Sequence, residues 1–135
     1  MPVSFDYDGT LSTKKGKDLA SKFISEGKDV RILTARDESG DNTDLFSTAK
    51  ELGIDKIYFT NGRDKWSFVL KYKIKEHYDN NKKQVDKINE KTTARGILFV
   101  SWPYNRKRTS RPLSERNLDA EQLIWFIKKE VSQRL

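Results

Sequence analysis

The chain has 135 residues, enough for one domain that buries a sizeable core without staples, and no second domain is expected. With no cysteine and a single histidine, His77, it excludes disulfides, thiolate metal sites, a cysteine nucleophile and a His-rich zinc centre. Lysine and arginine number 27 against 20 acids, a net charge of +7 that suits anionic partners such as phosphorylated metabolites or nucleic acids.

In chain order, residues 3–6 read as a first strand. A helix over 17–26 follows, through Leu19, Ala20, Phe23 and Ile24, and Gly27 ends it. Residues 30–34 form a second strand. Asn42 or Thr43 then caps a helix with Leu45, Phe46, Ala49 and Leu52 at helical spacing. Residues 56–60 make a third strand, and a helix starting near Asp64 carries Trp66, Val69 and Leu70. A weak strand over 76–79, a polar helix over 81–91 and a hydrophobic strand over 96–102 complete the alternation. A basic loop over 102–117 and a final helix over 118–135, with Leu123, Ile124, Ile127 and Val131 on one face, are appended. No room is expected for a leader ahead of the first strand, and no apolar run approaches a membrane span, so a cytoplasmic protein is expected.

Strand and helix in alternation predict an α/β fold: a three-layer, Rossmann-like parallel sheet of about five strands with helices on both faces, spanning 1–135 as a single domain. Ligands of such sheets bind beyond the carboxyl ends of the strands, which directs attention to Asp6, Thr34, Thr60 and Asp79. Asp6 and Asp8 stand one residue apart before a Gly9-Thr10 turn. In an extended strand their side chains share a face, and if the strand ends at Asp6 the turn swings Asp8 back over its tip. Two acids brought so close repel each other, and a hard divalent cation such as Mg²⁺ resolves the conflict.

The run Asp6-Tyr7-Asp8-Gly9-Thr10-Leu11 resembles the first motif, DxDGT, of the haloacid-dehalogenase-like phosphohydrolases. Thr34-Ala35-Arg36 resembles the family's second motif, in which a hydroxyl and the following backbone N–H bind a phosphate oxygen. A lysine near the start of the helix before the fourth strand is the third motif. Lys65, Lys71 and Lys73 are the candidates, and Lys65 is chosen because Lys73 would lie roughly 12 Å further along the helix axis. The fourth motif is an acid after a short strand, met here by Asp79, with Asn80 where many members carry a second acid.

The resemblance, covering roughly residues 3–102, implies a small capless Mg²⁺-dependent phosphomonoesterase. Asp6 would be the nucleophile forming an aspartyl-phosphate and Asp8 the general acid and base. Thr34 and Lys65 complete the catalytic set, with Mg²⁺ on Asp6, the Asp8 carbonyl, Asp79 and Asn80. Gly9, Thr10, Ala35 and Arg36 are expected around the substrate phosphate. Arg106, Lys107 and Arg108, interleaved with aromatic residues, suit a nucleotide or nucleic-acid end. An alternative reading is a basic nucleic-acid-binding module that has lost catalysis, and His77 is expected to be structural.

Overall fold

The structure is a computed structural model that describes residues 1–100. The expected basic loop, with Arg106, Lys107 and Arg108, and the final helix lie outside the described residues.

Five strands, β1 (Pro2–Phe5), β2 (Asp29–Thr34), β3 (Ile57–Phe59), β4 (Glu76–Asp79) and β5 (Arg95–Leu98), form one all-parallel sheet in the order β3-β2-β1-β4-β5. Between them run α1 (Lys14–Ser25), α2 (Thr43–Leu52), α3 (Trp66–Lys71) and α4 (Lys82–Lys91). This is the α/β, Rossmann-like arrangement that the alternation predicts.

The helices divide by face. Val3, Phe5, Val30 and Ile32 pack with Ala20 and Phe23 of α1 and Leu45 and Ala49 of α2. On the other face, Leu33 packs with Val69 of α3, Ile74 and Ile88 of α4. Covered on both sides, central β1 buries Val3, Ser4 and Phe5 alike, the polar Ser4 included. The Phe5 and Tyr78 rings stack at 5.1 Å between neighbouring strands β1 and β4.

Most boundaries shift by a residue or two from expectation, and two of the shifts are described by their local bonding. Helix α1 begins at Lys14 and not at residue 17, because the Thr13 hydroxyl accepts the Gly16 N–H at 3.0 Å and caps the helix earlier. The last strand stops at Leu98, although the Phe99 N–H still donates to the Asp79 carbonyl at 2.7 Å and the Phe99 ring is buried. Gly16 has a packing reason: a Cβ there would overlap the Thr10 carbonyl oxygen, so only glycine lets α1 lie against the turn after β1. Among the described residues, no helix is long and apolar enough to cross a membrane.

Candidate active site

β1 ends at Phe5, and Asp6 continues its pairing for one more residue by donating its N–H to the Tyr78 carbonyl at 2.8 Å. The chain then turns widely through Tyr7–Leu11, closed by bonds from Leu11 N–H to the Asp6 carbonyl and from Ser12 N–H to the Tyr7 carbonyl. Gly9 supplies the positive φ of 78° that the turn needs, and a side chain there would run into the amide of Asn80.

This turn settles where the two acids go. The Asp6 carboxylate is buried and points at Lys65, whereas the Asp8 side chain is 59% exposed and points at Arg36. Each acid therefore has its own protein cation, and the two carboxylates share none. Only the main-chain carbonyl of Asp8 comes in beside Asp6.

Lys65 immediately precedes α3, and its ammonium is 3% exposed. It donates to Asp6 Oδ1 at 2.7 Å and to Asp79 Oδ2 at 2.6 Å, joining the tips of β1 and β4. Lys71 lies on the last turn of α3 with its ammonium over the Tyr72 ring, and Lys73 occupies a positive-φ position after it.

The polar chain runs deeper. His77 Nε2 lies 2.8 Å from Asp79 Oδ2, and His77 Nδ1 lies 2.7 Å from the Ser4 hydroxyl. Burial pushes the His77 imidazole down, so the ring is neutral. The Asp79 carboxylate accepts only, which assigns the ring proton to Nε2 and leaves Nδ1 to accept from Ser4. Ser4, His77, Asp79, Lys65 and Asp6 thus form one continuous buried line through the sheet. His77 is fully buried and sits in the middle of this line.

Burial raises the Asp6 carboxyl to about 6; the Lys65 charge opposes this and the neighbouring Asp79 adds to it. For Asp79 burial also pushes upward, but the hydrogen bond from His77 and then Lys65 outweigh it and hold the group below its usual range. The remaining Asp79 oxygen accepts the Asn81 N–H at 2.9 Å. Both Asp79 oxygens are therefore engaged by protein donors.

Asn80 stands over the turn. With its amide nitrogen turned inward it donates to Asp6 Oδ2 at 3.0 Å and to the Asp8 carbonyl at 3.1 Å. Turned over, the amide oxygen takes the same place, and three oxygens then face one another. The amide oxygen is then 3.0 Å from Asp6 Oδ2 and 3.1 Å from the Asp8 carbonyl oxygen, close to the roughly 3.0 Å expected between neighbouring oxygen ligands of a hard cation such as Mg²⁺. Among the described residues no three His, Cys, Asp or Glu side chains gather as a metal centre. The donor set that fits a hard cation is one carboxylate, one carbonyl and one amide.

Of the other expected residues, Thr34 is fully buried, and its hydroxyl accepts the Arg36 N–H at 3.2 Å. Thr10 is likewise buried, its hydroxyl 3.5 Å from the Asn80 amide. Ala35 lines the cleft. That cleft, about 530 Å³ and open, is also lined by Asp6, Asp8, Lys65, Asp79, Asn80 and Gln84.

Sequence reasoning passes over two supports. Gln84 Oε1 accepts the Lys65 N–H at 3.0 Å while its amide donates to Asp64, tying α4 to the lysine's backbone. Arg36 donates to Asp8 and to Asp44 at the start of α2, and through that bond Asp44 is held down to about 2. Neither the Gln84–Lys65 nor the Arg36–Asp8 pairing has a local sequence signal, since the partners lie 19 and 28 residues apart. In comparison with known proteins, no family model matches the chain and no curated protein matches it.

Proposed function

We propose that the chain is a haloacid-dehalogenase-like phosphohydrolase of the small capless type, a Mg²⁺-dependent phosphomonoesterase acting through an aspartyl-phosphate. The observation that carries this reading is the buried Lys65 bridging Asp6 and Asp79 at the carboxyl ends of two adjacent parallel strands, beside an open cleft. A solvated turn has no reason to bury two acids under one lysine, because desolvating charge is costly unless the group is used or fully paired.

Asp6 is the nucleophile: its carboxylate oxygen bonds to phosphorus as the bond to the leaving oxygen breaks, splitting one difficult displacement into two easier ones. Asp8 gives a proton to that leaving oxygen, then takes one from the water that hydrolyses the acyl phosphate. Lys65 offsets the charge of Asp6 against the incoming phosphate and keeps the carboxylate aimed into the cleft. The Ala35 backbone N–H, directly after Thr34, binds a phosphoryl oxygen, the Arg36 N–H being held by the Thr34 hydroxyl. Asp6, the Asp8 carbonyl and Asn80 would hold Mg²⁺, with Asp79 supporting Lys65 beneath them. The metal would supply charge neutralisation of the phosphoryl oxygens.

The test is a panel of phosphomonoesters, from aryl phosphates and nucleotides to oligonucleotide ends, phosphopeptides and sugar phosphates, assayed with Mg²⁺ and with EDTA. Metal-dependent turnover that Asp6→Asn abolishes, with acid-stable phosphate trapped on the wild-type chain alone, is expected. Absence of metal-dependent turnover on every member returns the chain to the class of basic binding modules. A nucleotide or nucleic-acid substrate is the finer proposal, resting on the composition of 102–111. Replacing Arg106, Lys107 and Arg108 together by Ala should raise KM for oligonucleotide ends and leave KM for an aryl phosphate unchanged.

A further inference from the structure

We propose that Arg36 is the positioning residue for Asp8 and does not bind the substrate phosphate. The inference rests on the phosphohydrolase reading and assigns a residue of the same site. A guanidinium has five N–H donors, and here all five have acceptors. Nε donates to Asp8 Oδ2 at 2.9 Å, and Nη2 to Asp8 Oδ1 at 2.8 Å. Nη2 also donates to Asp44 Oδ2 at 2.9 Å, and Nη1 to Asp44 Oδ1 at 2.7 Å and to Asn42 Oδ1 at 3.5 Å. No donor is left over for a phosphate oxygen.

The surroundings fix the guanidinium as firmly as its partners do. Its plane lies over the Tyr7 ring, 4.9 Å from the centroid. Its own backbone N–H is held by the Thr34 hydroxyl at the tip of β2. Asn42, 4% exposed, donates its amide to the carbonyls of Asp37, Glu38 and Gly40, which sets the loop from which Asp44 enters α2. Arg36 is thus a rigid fork between the sheet and α2. Asp8 is largely exposed on a glycine-containing turn, and without the fork its carboxylate is free to rotate. A two-pronged bond fixes its orientation and leaves lone pairs on each oxygen for the reacting group.

The reaction makes this measurable. In forming the acyl phosphate, the Asp6–phosphorus bond forms, the phosphorus–oxygen bond to the leaving group breaks, and a proton that Asp8 has taken up from solvent, on a lone pair the fork leaves free, passes to that oxygen. A nitrophenolate leaves without the proton, whereas an alkoxide needs it. Values of kcat/KM for p-nitrophenyl phosphate and for an alkyl phosphate therefore separate positioning of Asp8 from binding of phosphate, and kcat/KM excludes the later hydrolysis of the intermediate.

Arg36→Gln should lower kcat/KM on the alkyl phosphate on the order of 10²- to 10³-fold, within the range of general acid catalysis, and less than about tenfold on the aryl phosphate. Arg36→Lys, which keeps the charge and loses the fork, should show the same selectivity. Asp44→Asn, remote from the phosphate, is the second variant and should show it in weaker form while keeping the wild-type melting temperature. A uniform loss on both substrates overturns the inference and makes Arg36 a phosphate ligand or a mere support. Wild type active on both substrates with Asp44→Asn indistinguishable from it also overturns it. If wild type shows no Mg²⁺-dependent turnover at all, the phosphohydrolase reading itself has failed.

Discussion

Lys65→Met removes the one charge that, among the described residues, Asp6 and Asp79 share, while keeping an unbranched stem of similar length. Deleting one partner of a buried ion pair costs about 3–5 kcal/mol, because the other is left desolvated and unpaired. Here the lysine is 3% exposed and bonded at 2.7 and 2.6 Å, and the two carboxylates are 8% and 1% exposed, so water replaces it poorly. Two features set the lower end of the range: Asp79 keeps its bonds from His77 and the Asn81 N–H, and Asp6, already raised to about 6, takes up a proton more readily once Lys65 is gone. The expected loss at pH 7 is therefore about 3 kcal/mol. In urea unfolding followed by tryptophan fluorescence, with EDTA present and a slope near 1.5 kcal/mol/M, the midpoint should fall by about 2 M. Adding Asp6→Asn to Lys65→Met should recover part of that loss. A midpoint shift below about 0.3 M at unchanged slope would refute the argument that Lys65 neutralises two buried acids.

Asp6→Asn by itself probes the raised carboxyl. A folded value of about 6 against 3.8 means the native state binds the extra proton in that window, so wild-type stability is lost as pH rises through it. In EDTA the variant should match wild type near pH 4 and exceed it by about 3 kcal/mol at pH 8, at 1.36 kcal/mol per unit. His77 is common to both proteins and drops out of the difference, and stability curves that stay parallel in pH contradict the reasoning. Asn80→Asp places a second carboxylate beside Asp6: calorimetry should show Mg²⁺ affinity rising roughly tenfold, and melting in EDTA should occur at lower temperature. Unchanged affinity would remove Asn80 from the cation site. Gly16→Ala forces a methyl onto the Thr10 carbonyl and should cost about 3 kcal/mol, the upper end for overpacking, as the clash is with backbone that cannot step aside. A loss under about 1 kcal/mol in chemical unfolding would mean α1 slides freely along the turn.

The parts of the fold written in short-range pattern were legible. Apolar runs such as Val30-Arg31-Ile32-Leu33 are strands because both their faces are covered, and the spacing of Leu45, Ala49 and Leu52 shows the inner stripe of α2. Lys65 was singled out by the rise along a helix, and it is the lysine that joins Asp6 and Asp79. The support beneath the site was not legible. Ser4 and His77 are separated by 73 residues and meet only because β1 and β4 pair in that register. That the Asp6 and Asp8 carboxylates meet different cations was also hidden, since the turn's i→i+5 bonds send the two side chains apart. Helix α1 started early because a threonine hydroxyl decided its first turn, a local choice that hydrophobic periodicity does not register.

The strand order carries a consequence for how the chain is made. β1, β2 and β3 are complete as a three-strand unit by residue 59, but β4, the second neighbour of β1, ends only at residue 79. As the chain is synthesised from its N-terminus, β1 spends that interval as an unpaired edge, open to strands of other chains. Its residues Val3, Ser4 and Phe5 place a hydroxyl between two large apolar side chains, and among the described residues His77 of β4 satisfies that hydroxyl in the finished sheet. A foreign strand docking on this edge meets a polar group without a partner, a penalty that the native neighbour alone removes. The same serine and histidine that hold the site's charges in line therefore select which strand is allowed to complete it.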